Sequence, residues 1–327
     1  MRLRHSELGA LLLLLGAATP LVAQDQSAPE GGGATFLLLP VGARAAALGQ
    51  AAIADGGSSE AAFWNPAGLA LLPASELAVH YSKTFASDNT VLAGYLDAKR
   101  LGVVGIAAYL VDFGTQEVQP GPGLPTGRIS VKNLEFLASY ATQLVSDLTI
   151  GVNYKLIQFR QDCSGACGNV RTTVGTTHGV DVGMQYAFGA TDAFRVGFAI
   201  RHAGFKLQLE NKEQADPLPT RVSFGAVYHL VLPRPADGAL GLDARFLLDI
   251  QDSWGQYNNP EVRAGMELGY GEVVRIRTGY AFLHSESAGP SVGVGFQLGR
   301  FAFDFARIFY SSSNFDEPVH ISLRAIL

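Results

Sequence analysis

The sequence predicts an all-β protein: a transmembrane antiparallel β-barrel of about 14 strands that carries a short N-terminal plug. Three observations predict this fold class. Apolar and polar residues alternate from Ser75 to the C-terminus, short and long connections follow one another in turn, and residues 24–73 lack the alternation. Although 48% of the chain is hydrophobic, it contains no run of roughly 18 apolar residues, the length that a membrane helix requires.

The alternation has the period of a β-strand, in which successive side chains point to opposite faces. Between Arg221 and Leu230, for example, Val222 and Phe224 lie on one predicted face, and Arg221 and Ser223 lie on the other. The predicted strands are residues 75–84, 90–98, 101–112, 129–143, 147–160, 177–188, 192–202, 220–232, 239–250, 261–270, 273–283, 290–298, 300–310 and 318–327.

The connections favour a closed barrel in an outer membrane. Links after even-numbered strands are short, whereas most links after odd-numbered strands are long, as at 113–128, 161–176 and 203–219. Outer-membrane barrels show this alternation, with short periplasmic turns and longer outer loops. A soluble sandwich would also have period-two strands, but tyrosine and phenylalanine recur on the apolar face near strand ends, as the aromatic girdles of a barrel require.

The N-terminus has the layout of a secretory signal. Arg2 and Arg4 precede an apolar run, Leu8 to Ala18, and Ala23 supplies a small residue at a plausible cleavage point. The expected organisation is therefore a signal peptide at 1–23, a plug segment at 24–73 and an outer-membrane barrel at 74–327.

Charge and cysteine content exclude some functions. A formal net charge of −5 argues against a dedicated nucleic-acid binder. The two cysteines, Cys163 and Cys167, lie in a predicted glycine-rich loop of an exported chain, which favours a local disulfide. Two thiols alone are a weak metal signal, because a closed zinc site needs four ligands. No metal and no cofactor is expected.

Signals for catalysis are weak. Residues 289–293 fit the pattern G-x-S-x-G, but they begin a predicted strand, whereas a nucleophile elbow needs a strand-to-helix turn. The histidines are scattered and have no metal-binding spacing. We therefore expect that the chain is not an enzyme.

Two N-terminal motifs resemble a known family. The segments PVGARAAALG (Pro40 to Gly49) and AAFWNPAGLA (Ala61 to Ala70) are similar to the N-terminal signature of PorV/PorQ-like outer-membrane proteins, which belong to the FadL-type transporter superfamily. Residues 218–230 and 320–327 resemble later strands of that family. The resemblance implies a barrel of fourteen strands and identifies Asn65-Pro66-Ala67 with the family's hatch motif.

The resemblance implies one of two functions, neither of them catalytic. The first is a role in type IX secretion, in which PorV-like proteins receive cargo from the translocon and pass it to a surface-attachment complex. The second is FadL-like uptake of a small hydrophobic or amphipathic molecule. We favour the first. Expected partners are outer-membrane lipid, translocon and attachment-complex proteins or secreted cargo in the first case, and a lipid-like ligand in the second.

The plug motif supplies the first group of candidate site residues: Gly42, Arg44, Trp64, Asn65, Pro66 and Ala67. Arg44 either anchors the plug to luminal acids such as Asp304 or is an ordinary solvated arginine. Trp64 and the Asn65-Pro66-Ala67 turn either gate the lumen or seat the plug, and we favour seating.

Inward-facing charges form the second group: Arg221, Arg245, Arg263, Arg277, Asp243 and Asp304. One interpretation is a ladder of paired charges that fills and solvates the lumen. The other is that an excess of arginine holds an anionic substrate, because a guanidinium group binds a carboxylate or phosphate through two parallel hydrogen bonds. We favour the ladder.

Overall fold

The computed structural model describes residues 33–119, 121, 124–189, 193–209, 215–232, 241–271, 273–283, 288–311 and 316–327. Within them, the strands form one closed antiparallel barrel of 14 strands, in which each strand pairs with its sequence neighbours and the first pairs with the last. This confirms the predicted fold class. The predicted signal peptide and residues 24–32 of the predicted plug segment lie outside the described residues.

The strands are, in chain order, β1 (Glu76–Lys83), β2 (Asp88–Asp97), β3 (Val103–Val118), β4 (Gly127–Val145), β5 (Leu148–Gly165), β6 (Thr173–Phe188), β7 (Phe194–Gly204), β8 (Arg221–Val231), β9 (Leu242–Ser253), β10 (Glu261–Tyr270), β11 (Val274–Phe282), β12 (Gly289–Leu298), β13 (Phe301–Ile308) and β14 (Val319–Ile326). Buried and exposed residues alternate along them, most regularly in β1 and β6. The exposed set is apolar, as a lipid-facing wall requires, and the buried set faces the lumen.

The barrel has two different ends. The links after odd-numbered strands define the long-loop end, and the links after even-numbered strands, together with the start of β1 and the end of β14, define the short-turn end. Gly271 and Gly299 turn the chain at the short-turn end with φ values of 58° and 60°, which glycine adopts without a steric penalty. Exposed aromatic rings cluster near this end, for example Phe188 and Phe194, whose ring centroids lie 5.6 Å apart.

Two predicted loops are wrong in their extent. Strand β3 continues to Val118 and β4 begins at Gly127, so half of the predicted loop 113–128 belongs to strands. Likewise, β5 continues to Gly165 and β6 starts at Thr173, which shortens the predicted loop 161–176. Beyond the hydrocarbon both faces of a strand meet water, so the apolar alternation stops although backbone pairing continues.

The described N-terminal segment contains short helical pieces instead of strands. They are two α-helices, Ala43–Ala47 and Ala61–Trp64, and two 3-10 helices, Thr35–Leu38 and Pro66–Leu71. A third 3-10 helix, Lys99–Leu101, lies in the β2–β3 link. The N-terminal segment packs on inward-facing residues of the strands and most of its side chains are buried, so it is the predicted plug. No helix among the described residues is long and apolar enough to cross a membrane.

One irregularity in the wall is a β-bulge between β6 and β7. The pairing register shifts between Val180 and Val182, so that Asp181 lies opposite both Arg201 and His202. His202 adopts a left-handed φ of 58°, and its backbone N–H donates to Asp181 Oδ1 at 2.7 Å. The extra residue turns two consecutive side chains, Arg201 and His202, into the lumen, where both are buried.

Candidate functional site

The contact between plug and barrel wall is the candidate functional site, and Asn65 is at its centre. Its side-chain N–H₂ donates to the carbonyl of Ile53 at 2.7 Å and, on the barrel wall, to the carbonyl of Met184 at 3.2 Å. Its Oδ1 accepts from the backbone N–H of Ala67 at 3.1 Å, which caps the 3-10 helix that Pro66 begins. Asn65 is completely buried. The Asn65-Pro66-Ala67 turn thus joins two parts of the plug to the wall.

A row of glycines on the inner wall brings the plug backbone into direct contact with the strands. A Cβ atom on Gly183 would lie 1.9 Å from Asn65 Oδ1, and one on Gly151 would lie 2.3 Å from the carbonyl carbon of Pro66. Similar close approaches occur at Gly197, Gly225, Gly265, Gly279 and Gly293. Only glycine fits where two backbones come this close, so these residues form a groove shaped to the plug.

Wall side chains hold the plug backbone around Ile53. Asp249 Oδ2 accepts from the backbone N–H groups of Ala52 and Ile53 at 2.6 and 2.9 Å. The Gln185 amide donates to the carbonyls of Ile53 and Asp55 at 2.9 and 2.7 Å. Asp249 and Gln185 are buried, so these hydrogen bonds replace those that water would otherwise make to an irregular backbone segment.

Two serines and a glutamate hold the plug helix Ala43–Ala47 in place. Ser291 Oγ donates to the carbonyl of Ala47 and accepts from the N–H of Gly49, both at 3.0 Å. Ser322 Oγ accepts from the N–H of Ala43 at 2.9 Å and donates to Glu60 at 3.1 Å. The carboxylate of Glu60 also fills the space beside Gly42, where a Cβ atom would lie 2.1 Å from it. Gly42, with a φ of 91°, is therefore required by the turn that enters this helix.

An ion-pair cluster ties the plug to the short-turn half of the lumen. Arg44 Nε lies 3.0 Å from Asp55 Oδ2, and Arg44 Nη2 lies 3.5 Å from Glu267 Oε1. Arg245 contacts the same two carboxylates at 2.5 and 3.5 Å. Burial alone would raise the pKa of Asp55, but the guanidinium groups of Arg245 and Arg44 outweigh burial and lower this pKa. These two guanidinium groups therefore favour the ionised form of Asp55.

Arg44 binds a luminal acid, but the acid is Glu267 and not Asp304. The reason is that Asp304 already has two partners on the wall, Arg277 at 2.6 Å and Arg324 at 3.2 Å. Arg277 also bridges to Glu267 at 2.6 Å, which links the two acids into one network.

Trp64 lies at the end of a plug helix and packs against an arginine of the β7 bulge. Its indole N–H donates to the carbonyl of Val41 at 2.9 Å, and the Arg201 guanidinium stacks 5.1 Å from the ring centroid. Arg201 also donates to the carbonyl of Phe63 at 2.9 Å. These contacts hold Trp64 in place within the plug.

The other predicted luminal charges point inward, and each has a polar neighbour. Asp243 lies 3.7 Å from Arg275 and 3.3 Å from His229. Arg263 pairs with Glu261 at 2.7 Å, and Arg221 donates to Ser253 Oγ at 2.6 Å. The six predicted charges do not form one site: Arg245, Arg277, Asp243 and Asp304 lie towards the short-turn end, whereas Arg221 and Arg263 lie towards the long-loop end.

The structure joins Cys163 and Cys167 in a disulfide at the tip of the β5–β6 hairpin. Cys163 belongs to β5 and not to a loop, because β5 is longer than predicted. We expect that the double change Cys163→Ser and Cys167→Ser loosens the native structure only at the tip, since the bridge spans a separation of 4 residues outside the wall. The free energy of unfolding should fall by no more than about 2 kcal/mol, the loop-closure entropy of so short a loop. Amide hydrogen exchange should rise at 164–172 alone, and a general increase across the strands would contradict this.

Several residues of the site were not predicted from the sequence. The sequence did not single out as contacts of the plug the wall residues Asp249, Glu267, Gln185 and Ser291 or the wall glycines. Ser291 lies inside the accidental G-x-S-x-G match, and its hydroxyl is engaged by the plug backbone. The recurrence of glycine at inward positions of neighbouring strands was the available signal, because glycine weakens a strand unless another backbone needs the space.

Comparison with protein families decides the assignment. Residues 22–249 match the family described as type IX secretion system protein PorV. The chain belongs to the PorV family. No curated protein sequence matches the chain.

Several solved structures share the fold of this PorV-family chain. The toluene transporter TbuX of Ralstonia pickettii superposes with a TM-score of 0.56 at 14% identity, covering 88% of this chain and 98% of that one. The monoaromatic hydrocarbon channel CymD gives a TM-score of 0.59 at 11% identity, with coverages of 88% and 98%. The toluene transporter TodX of P. putida gives 0.52 at 12% identity, with coverages of 87% and 96%. At these identities the likeness shows the fold alone.

The family and the barrel fold support an outer-membrane location. Among the described residues, no group of three or more histidine, cysteine or acidic side chains is arranged to hold a metal ion. The polar side chains of the site hold the plug: hydrogen bonds and ion pairs fix a short irregular segment across the barrel. We call this set of contacts, which includes those of Asn65, Gln185, Asp249, Ser291 and Glu267, the clasp.

Proposed function

We propose that this protein is a plugged outer-membrane carrier in type IX secretion. It receives cargo from the translocon at its long-loop end and passes the cargo to a surface-attachment complex. Membership of the PorV family carries the proposal. In this function the barrel is a membrane-held platform, and cargo does not pass through its lumen.

The plug favours a role as a binding platform rather than as an open channel. Hydrogen bonds from Asn65, Gln185 and Ser291 and the Arg44–Glu267 ion pair reach across the lumen at different heights. A segment held by this many buried contacts costs too much free energy to displace in every transport cycle. Passage of a protein chain through this lumen would require that displacement.

The uneven height of the wall indicates where partners would bind. Strands β3 to β6 have 16 to 19 residues, whereas β1, β13 and β14 have 8. About 9–11 residues cross the hydrocarbon, so one sector of the barrel extends beyond the membrane at the long-loop end. We propose that this sector, the part of the wall formed by residues 113–118, 127–131 and 159–176, meets translocon, attachment-complex or cargo proteins.

Pull-down from native outer membranes tests the proposal. The tagged full-length protein should recover large secretion subunits and secreted cargo. A variant in which residues 115–130 are replaced by a short turn should insert normally and lose at least about 80% of that recovery, because the contact area would be removed. Arg100→Gln, at the short-turn end, is the matched control and should retain all partners. Full recovery by the shortened variant would contradict the proposed docking sector.

Uptake of a small hydrophobic or amphipathic molecule is the second candidate. The observation that favours it is a chamber of about 350 Å³ between the plug and the long-loop end, lined in part by Leu37, Leu39 and Phe63. In proteoliposomes, this function predicts entry of such a molecule through the wild-type barrel. A bound ligand without secretion partners would place uptake first.

Three further features belong to the proposal. The signal peptide is cleaved near Ala23, which N-terminal sequencing of the mature protein tests. The wall is surrounded by outer-membrane lipid. The protein has no catalytic activity and needs no cofactor, since the polar groups of the clasp, such as Ser291 and Asp249, are occupied by the plug backbone.

A further inference from the structure

A polar cavity of about 520 Å³ lies on the short-turn side of the plug, and we call it the vestibule. Its lining includes residues at the ends of strands, such as Gln297 in β12 and Ile326 in β14, so it is the mouth of the barrel at that end. Guanidinium groups, which bind oxyanions through parallel hydrogen bonds, make the vestibule a candidate anion site. Among the described residues, the arginines that line it are Arg44, Arg195, Arg245, Arg275, Arg277 and Arg324.

The carboxylates of the vestibule are fewer than its arginines. Within the described part of the chain, the acids on the lining are Asp243, Glu267 and Asp304. Asp55 and Glu76 also contact arginines of this set, at 2.5 and 3.4 Å, but they are not part of the described lining. On the lining itself arginines outnumber carboxylates by two to one, so we expect a positive electrostatic potential in the vestibule.

One carboxylate, that of Glu267, is shared by four guanidinium groups. Arg277 lies 2.6 Å from it, whereas Arg44 and Arg245 lie 3.5 Å away and Arg275 lies 4.0 Å away. A charge-assisted hydrogen bond between nitrogen and oxygen spans about 2.7–2.9 Å, so only Arg277 is fully bonded to this acid. The other three arginines are close to Glu267 without saturating their donors on it.

Arg275 has little compensation for its charge. Its nearest carboxylate atoms among the described residues belong to Asp243, at 3.7 Å, and to Glu267, at 4.0 Å. Its Nη1 donates to the backbone carbonyls of Gly271 and Val274, and its side chain is 24% exposed. A guanidinium group has several further N–H donors, and for Arg275 no described carboxylate lies within hydrogen-bond distance of them.

Two wall glycines hold the arginines flat against the wall and keep the vestibule open. A Cβ atom on Gly269 would lie 2.5 Å from Arg275 Nη1, and one on Gly295 would lie 2.6 Å from Arg277 Nη1. The atoms nearest to these glycines belong to charged side chains and not to the plug. Charged side chains that only filled the lumen would not need this space, because glycine weakens a strand. The wall is therefore shaped to place guanidinium groups around a cavity.

We propose that the vestibule binds the phosphate group of a small water-soluble ester, with Arg275 as a principal contact. The arginines come from the plug and from β7, β9, β11 and β14, so they approach a ligand from several sides. A phosphate monoester carries about two negative charges and presents three acceptor oxygens in different directions, whereas a carboxylate presents its oxygens in one plane. The closed wall separates the vestibule from lipid, which favours a soluble ester over a lipid head group. The inference is independent of both candidate functions.

Isothermal titration calorimetry of the purified full-length barrel in detergent tests the inference. Glycerol 3-phosphate should bind saturably at a single site. Succinate, which carries a similar charge on two carboxylates, and uncharged glycerol should each bind at least about tenfold more weakly. Dihexanoyl phosphatidic acid carries the same phosphate on a glycerol with two acyl chains, and it should bind no more tightly than glycerol 3-phosphate. Tighter binding of this lipid would overturn the assignment to a soluble ester.

Substitutions at Arg275 locate the phosphate. Arg275→Gln should weaken the binding of glycerol 3-phosphate about tenfold or more, because a charge-assisted contact is lost. Arg275→Lys keeps the charge but not the planar fork of donors, so it should recover only part of the affinity. Arg221→Gln is the matched control, since Arg221 is also an inward arginine but lies towards the long-loop end, and it should change the affinity less than about twofold.

The pattern of affinities decides the outcome. Equal binding of glycerol 3-phosphate and succinate would overturn the inference, because the vestibule would then respond to charge alone. Absent binding of glycerol 3-phosphate would overturn it, and so would equal losses in Arg275→Gln and Arg221→Gln. Selective loss in Arg275→Gln, with partial recovery in Arg275→Lys and unchanged folding by far-UV circular dichroism, would support it.

Discussion

Gly183→Ala should unseat the plug and convert the closed barrel into one that conducts ions. The added Cβ would lie 1.9 Å from Asn65 Oδ1, inside a site where Asn65 is fully buried and cannot move without losing its hydrogen bonds to Ile53 and Ala67. Overpacking of this kind costs about 1–3 kcal/mol. We expect most of this cost to fall on the plug, because the wall keeps its backbone pairing.

The matched control is Gly179→Ala, four residues earlier on the same face of β6. There the nearest atom to a new Cβ is Leu218 Cδ1 at 3.3 Å, the end of a flexible side chain. Each change replaces a glycine of the same strand, β6, and adds one methyl group to the inner wall. Only the contact with the plug differs, so a difference between them reports on the plug alone.

Planar-bilayer recordings provide the measurement. The wild-type and Gly179→Ala proteins should give few or no openings, whereas Gly183→Ala should give frequent ones, and limited proteolysis should cut the plug segment in that variant first. If Gly183→Ala conducts no more than Gly179→Ala, the close approach at Asn65 is not what keeps the plug in place.

The sequence predicted the positions of the strands better than their ends on the long-loop side. Period-two alternation located all the strands because each strand has one face in lipid, and lipid accepts only apolar side chains. The same rule failed at residues 113–118 and 161–165, which lie beyond the hydrocarbon, so that a paired strand has the composition of a loop. Tertiary position relative to the membrane, which a local pattern does not contain, decides those boundaries.

The sequence indicated some of the residues that hold the plug, but not which residues contact one another. Asn65 and Gly42 were identified from the N-terminal motifs that resemble a known family, and the backbone roles of both residues are local: a capped turn and a left-handed φ. The partner of Arg44 could not be identified, because several inward acids were compatible with it and the choice depends on which of them other arginines occupy. His202 was also beyond reach, since a bulge is set by the pairing of two strands and leaves no mark in either one alone.

Glu267→Gln should be the most destabilising single change in the lumen. Its carboxylate lies 2.6 Å from Arg277 and 3.5 Å from both Arg44 and Arg245, and its side chain is almost fully buried. Removal of one member of a buried ion network costs about 3–5 kcal/mol, because the remaining charges lose their compensation without regaining water. Here four guanidinium groups would lose a shared counter-ion, since Arg275 also lies 4.0 Å from this carboxylate, and the plug would lose its ion pair with β10.

A double-mutant cycle separates charge compensation from packing. Arg277→Gln alone should also destabilise, but Glu267→Gln with Arg277→Gln should cost clearly less than the sum, since the double variant restores the balance of charge. Asp243→Asn is the control: this acid is more exposed and its nearest arginine atom is 3.7 Å away, so the loss should be below about 1 kcal/mol. Urea unfolding of the barrel in lipid vesicles measures all four variants. Additive losses in the cycle would mean that Glu267 acts through packing, and the ion network would then not be what anchors the plug.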